Sequence, residues 1–190
     1  MSTHNPPSPR SRRNRSRAST IRHRLLVRWV DAKFIRRPRI YLVQALLAAA
    51  VLVAILVAED ALTNGAIVAA IASSVAVVFF APHSVASSPF RIVGGHLSGV
   101  VAGLCTVGAM LLLPDSVAAN QWAIHVLQGA SLALVILFMT VTNTEHTPAA
   151  GTALGLSTSI PRDSVIFIIS AAVIIAAVRI ILYRRLHNLI

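Results

Sequence analysis

Charge is scarce in this sequence. Only 12% of its 190 residues are Asp, Glu, Lys or Arg, against about 25% in ordinary soluble domains. That deficit excludes a conventional soluble domain. With 56% hydrophobic residues and a mean hydropathy of +0.75 it points to the membrane class. Cysteine is scarcer still: Cys105 is the only one, so no disulfide can form within the chain. Set in an apolar run, Cys105 reads as a small buried hydrophobe. Catalytic signatures are missing too. There is no HExxH, no G-x-S-x-G elbow and no glycine-rich phosphate loop, and His83, His96 and His146 have no metal-site spacing. The expectation is a chain that is not an enzyme and holds no metal or cofactor. The short-period alternation of a β-barrel is absent as well.

The charge that is present is lopsided. Twelve of the 17 basic residues and one of the six acidic ones lie within residues 1–39, whereas residues 40–190 hold five of each and balance. The pI of about 11.8 therefore describes a tail, not the body. Residues 1–38 are read as a basic cytoplasmic tail and residues 39–190 as a transmembrane domain. The start of the tail is too polar to form a core and is read as disordered. From Thr20 on, Ile21, Leu25 and Trp29 recur at helical spacing between basic residues. That is the pattern of an interfacial helix on anionic lipid, with Trp29 and Phe34 at the headgroups. Nucleic acid is not expected as a partner, because no supporting fold accompanies the charge. The Arg- and Ser-rich start also has transit-peptide composition, but the first apolar run continues into further spans. It is read as retained, in a bacterial inner (plasma) membrane.

Five runs are long enough to cross about 30 Å of hydrocarbon: Ile40 to Ala58, Gly65 to Ala81, Ile92 to Leu113, Trp122 to Thr142, and Val165 to Leu182. Their backbones must satisfy their own hydrogen bonds in lipid, so they are expected as helices. The fold class is thus an all-α, polytopic transmembrane bundle. Twelve basic residues before the first run place the amino terminus in the cytoplasm. Five crossings would then carry Arg184 and Arg185 outward. The conflict is removed if "HTPAAGTALGLSTSIP" crosses as a short, broken sixth element, which leaves both termini cytoplasmic and only Arg162 outside. A re-entrant loop is the rival. Six crossings divide as three plus three, with the halves opposed, as in transporters built from inverted repeats.

Two polar clusters interrupt the apolar runs. "APHSVASSPFRIVGGH" carries His83, Ser84, Ser87, Ser88, Arg91, Gly94, Gly95 and His96. "NTEHTP" carries Asn143, Thr144, Glu145, His146, Thr147 and Pro148. Each lies where a helix begins, and helix starts attract anions. A small anion held by Arg91, Gly94, Gly95, His96, Asn143, His146 and Thr147 is the site this predicts. Ionisable groups at membrane depth tend to be functional, which singles out His96 and His146. His83 and the serines read as solvated. Gln128 reads as helix glue, and Gly99 and Gly103 as a small-xxx-small contact. The glycine and alanine faces suit a homo-oligomer.

The segment "FRIVGGHLSGVVAG" resembles the "PRNVVGGHL" block of the HPP family of small integral membrane proteins. "TEHTPAAGTAL" resembles that family's "HPPAGATAL" signature, with His146, Thr147, Pro148 reading HTP in place of HPP. Order and spacing agree over roughly residues 38–183. The resemblance implies a multi-span membrane protein, and its plastid and cyanobacterial members are linked to nitrite transport. The function expected is a permease for a small inorganic anion, nitrite first. The alternative is a non-transporting interaction protein acting through its basic tail. A third is a membrane-embedded enzyme using the histidines and Glu145.

Overall fold

The computed structural model describes residues 32–58 and 64–190. The tail up to residue 31, including the interfacial helix expected from Thr20, and residues 59–63 lie outside the described residues. Every regular element among the described residues is helical. Those up to Tyr41 form one unit, in which a helical turn at Ala32–Arg36 is followed by an edge-to-face pair of Phe34 and Tyr41, 5.4 Å apart. The rest, from Leu42, forms the second unit.

Six helices matter for function: α1 (Pro38–Ala58), α2 (Gly65–Phe80), α3 (Pro89–Met110), α4 (Gln121–Thr142), α5 (Ala149–Gly155) and α6 (Arg162–Leu182). Their ends follow local chemistry. Asn64 caps α2 by accepting from the amides of Ala66 and Ile67, and Asn120 caps α4 through the amide of Trp122. Pro89 opens α3, where a missing N–H costs nothing. Helix α2 stops at Phe80 because Pro82 pushes Ala81 out of the helical region. Asn143 ends α4 in the left-handed conformation, at φ 55°, which asparagine tolerates.

Four of the six, α1, α3, α4 and α6, are long and apolar enough to cross a membrane. The run from Gly65 to Ala81, expected as a full span, forms a helix of 16 residues. At 1.5 Å per residue it is about 24 Å long, short of the ~30 Å hydrocarbon layer.

Helix α3 is the centre of the second unit. Half of its apolar window is buried, against 11% for α1, and it packs on α4, α5 and α6. One core cluster joins Ile67, Ile71, Val75 and Val78 of α2 to Ile92 and Val100 of α3 and to Phe167, Ile168 and Ile175 of α6. A smaller one joins Ala102, Val135, Met139, Ala149 and Ala153 across α3, α4 and α5. Among apolar helices in lipid the driving force is close packing and interhelical hydrogen bonds, not transfer from water. Gln44 provides such bonds for α1. Its Nε2 donates to the carbonyls of Phe79 (2.6 Å) and His187 (3.0 Å), and its Oε1 accepts from the His187 amide (2.8 Å).

The direction of α5 follows from its neighbours. A Cβ at Gly94 would meet Thr144, at Gly95 His146, at Gly99 Ala149 and Thr152, and at Gly103 Leu156. As α3 advances from 94 to 103, the partner advances from 144 to 156, so the two segments run side by side in the same direction. At the far end the Asn64 side chain donates to the Gly155 carbonyl (2.9 Å). The segment therefore passes from the α2–α3 loop to the start of α2 without doubling back. Helix α6 returns from there: near its end Arg179 donates to the Pro82 carbonyl (3.2 Å), and the Leu189 amide donates to the Phe80 carbonyl.

Candidate functional site

The two polar clusters meet. His96, the eighth residue of α3, and His146, in the linker before α5, are both fully buried, with ring centroids 5.3 Å apart. Between them lies Ser74, in the middle of α2 and also fully buried. Its Oγ is 2.8 Å from Nε2 of His96 and 2.9 Å from Nε2 of His146. The outer nitrogens are partnered as well. His96 Nδ1 lies 2.8 Å from Thr152 Oγ1 on α5, and His146 Nδ1 lies 2.9 Å from the carbonyl of Ala86. The result is one hydrogen-bonded line, Thr152–His96–Ser74–His146–Ala86, joining α5, α3, α2, the linker and the α2–α3 loop.

Glycines make the line possible. A Cβ at Gly95 would stand 2.6 Å from Cβ of His146, and one at Gly94 2.5 Å from Cγ2 of Thr144. No side chain fits there, so the linker lies directly on the α3 backbone. The small-xxx-small pattern has its partner here: Gly99 and Gly103 face α5 and the residue after it. Gly151 and Gly155 do the same for α2, where a Cβ would meet Ala70 and Ile67 at 2.9 and 2.6 Å.

The structure changes the part played by several predicted residues. Helix α3 starts at Pro89, three residues before the expected Ile92, so Gly94 and Gly95 are its sixth and seventh residues. Their amides belong to the helix's own ladder and are not free to hold an anion. The first amides of α5 are also engaged, with Ala149, Ala150 and Gly151 bonding to the carbonyls of His146, Thr147 and Pro148. Arg91 is partnered too: one guanidinium nitrogen pairs with Glu145 and the other donates to Asn143 Oδ1 (2.6 Å). It ties the first turn of α3 to the end of α4 at the partly exposed rim. Thr147 is exposed and lies outside the buried line. Cys105, expected to be buried, is exposed on the outer side of α3.

Two members of the line, Ser74 and Thr152, were not singled out by sequence. The signal was slight: "SS" at 73–74 is the only hydroxyl pair in the apolar α2. The loop serines fold on themselves, with Ser87 Oγ donating to the Ala81 carbonyl (2.6 Å). Gln128 of α4 approaches His125, at 3.4 Å. Among the described residues no group of three or more His, Cys, Asp or Glu could hold a metal.

No curated protein and no solved structure matches the chain. A family model described as HPP, transmembrane region, matches residues 35–189. That range takes in both blocks, "VGGH" and "HTPAAGTAL", whose meeting builds the buried line. The chain is a multi-pass membrane protein and belongs to the HPP family.

Proposed function

We propose that this protein is a permease for a small inorganic anion, with nitrite the first substrate to test. The observation that carries the reading is the pair of fully buried histidines bridged by Ser74 beside a seven-residue helix. Ionisable groups held inside a membrane bundle are costly and mark substrate or ion pathways. Broken helices meeting near the midplane are where secondary transporters bind their cargo. The choice of nitrite rests on the family resemblance. The choice of an anion is supported by Arg91 at the rim.

The same reading takes residues 144–157 as a sixth crossing and the bundle as two opposed halves of three helices. Arg91, Arg179, Arg184 and Arg185 fall on one side, which supports a cytoplasmic face in the inner membrane for both termini. The partners proposed are the anion, anionic lipid at the basic tail and a second copy of the chain. No catalytic role is assigned.

Purified protein in liposomes is expected to take up nitrite, and a His96→Ala, His146→Ala double variant is expected to lose that uptake. Wild-type uptake by the double variant would remove the histidines from the pathway. Glu145→Gln is a separate probe, because it releases Arg91 from its carboxylate. The pair lies at the rim, with the glutamate side chain about half exposed, so stability should change by less than about 1 kcal/mol. Apparent nitrite affinity should rise. An unchanged KM would leave Arg91 as a structural tie only.

A further inference from the structure

The buried line fixes its own proton positions. The Ala86 carbonyl can only accept, so His146 Nδ1 carries a hydrogen. In a neutral ring Nε2 is then bare and accepts from Ser74 Oγ–H. Ser74 Oγ in turn accepts from His96 Nε2–H, and His96 Nδ1 accepts from Thr152 Oγ1–H. All four contacts are satisfied with both rings neutral and in opposite tautomers.

Ser74 has a second acceptor within reach. Its Oγ also lies 2.9 Å from the Ala70 carbonyl one turn earlier. If the hydroxyl turns to Ala70, Oγ offers both lone pairs to the rings. His96 Nε2–H and a newly protonated His146 Nε2–H then both donate to it. The network thus accepts one additional proton without orphaning a polar atom, and the only movement needed is rotation of one hydroxyl.

We infer that His96, Ser74 and His146 form a proton relay, so that the protein moves its anion together with a proton. The inference rests on the permease reading above. The transfer balances atom for atom. A proton arriving at His96 Nδ1 makes that ring a cation. His96 Nε2 passes its proton to Ser74 Oγ as Ser74 passes its own to His146 Nε2. His96 is left neutral with its hydrogen on Nδ1, and His146 becomes the cation. His146 then gives its Nδ1 hydrogen to the anion or to water reaching the partly exposed Ala86 turn. Ser74 hands the proton on without holding the charge at rest, and Thr152 is a positioning residue.

The surrounding charges are few, and the α2–α3 loop brings His83, which is exposed and lies 4.9 Å from the Tyr183 ring. Helices α2 and α5 carry no titratable group. On α3 and in the linker, Arg91 and Glu145 neutralise each other at the rim. Helix α6 brings Arg179, which donates to the Pro82 carbonyl and lies over the Tyr183 ring at 4.2 Å. Its Arg162 and Asp163 stand at the opposite end, and His125 of α4 is exposed near that helix's start. Among the described residues no carboxylate reaches the two rings, so an anion in transit is the natural counterion for a relayed proton.

The test uses the full chain in liposomes with a pH-sensitive dye inside. Wild type and Ser74→Thr, which keeps the hydroxyl, should accumulate nitrite under a pH gradient. In Ser74→Ala, gradient-driven accumulation should fall by roughly tenfold or more beyond any fall in nitrite exchange at equal pH, a usual coupling between two sites. Accumulation by Ser74→Ala at the wild-type level would overturn the relay. Wild-type exchange of nitrite with no response to the gradient would overturn it too. Absence of any nitrite exchange in wild type would sink the permease reading instead. In that event, Ser74-dependent proton flux under a potassium diffusion potential still supports the relay, and equal flux in Ser74→Ala overturns it. A readout without a variant at Ser74 is ¹⁵N NMR of a chain in which the other five of the seven histidines are glutamine. One neutral ring with its hydrogen on Nδ1 and one with it on Nε2 is the expected result; two rings in the same tautomer would refute the assignment.

Discussion

Gly99→Leu is expected to prevent assembly of the bundle, whereas Gly129→Leu should leave it intact. A Cβ at Gly99 would stand 2.8 Å from the carbonyl oxygen of Ala149 and 3.0 Å from both Cβ and Cγ2 of Thr152. The first obstacle is backbone and cannot rotate aside. The second is held by its contact with His96 Nδ1. Even Gly99→Ala has to shift α5, and overpacking of this kind costs about 1–3 kcal/mol. Across a body of this size that lowers the melting temperature by roughly 2–12 °C. A leucine adds three more carbons with nowhere to go, against a total stability of only about 5–15 kcal/mol. Gly129 has nothing within 4 Å of its Cβ position. Thermal unfolding followed by size-exclusion chromatography reads both. A monodisperse Gly99→Leu chain melting with wild type would mean that α5 does not lie against α3.

The second large effect is expected at the histidines, as a failure of additivity. His96→Leu removes the partner of Thr152 Oγ1 and one partner of Ser74. His146→Leu strips the donor from the Ala86 carbonyl. A buried polar group left unpaired costs about 1–3 kcal/mol, so each single variant should be clearly destabilised. The double variant loses the Ser74 bridge once, not twice. Its cost should therefore fall short of the sum by about 0.5–3 kcal/mol. Nitrite uptake should nonetheless be lost in all three. A double variant close to wild type in stability yet inactive would show that the pair is retained for function, since apolar replacements often match a buried polar network in stability. Strict additivity together with full activity would mean that the rings do not act as a unit.

Much of the bundle could be read from the sequence because membrane helices advertise themselves. Long apolar runs, Asn64 and Asn120 before helices, and proline at Pro38 and Pro89 mark the ends within a few residues. The meeting of the two polar clusters was also legible, since "VGG" and "GVVAG" leave room for a backbone and "HTPAAGTALG" supplies a narrow one. The start of α3 is not legible, because Arg91 carries the charge of a boundary residue. In fact it sits inside the first turn and is neutralised by Glu145, 54 positions away, a pairing that no local pattern encodes. Ser74 escaped for a related reason. A buried hydroxyl in an apolar helix has only Ser73 beside it to announce it, and its importance comes from two rings on other elements. Cys105 is exposed because, in a bundle that faces lipid, an apolar setting is compatible with the outer surface as well as with the core.

The parallel course of α5 beside α3 has a consequence for how the chain is made. A seven-residue helix offers too little greasy surface to partition into the bilayer alone as it leaves the ribosome. It needs a groove already lined by Gly95, Gly99 and Gly103 on one side and by Ala66 and Ala70 on the other. Helices α2 and α3 must therefore be seated before residues 144–157 can settle. Final threading is then a late, post-insertion event, and the two histidines come together only when biogenesis is complete.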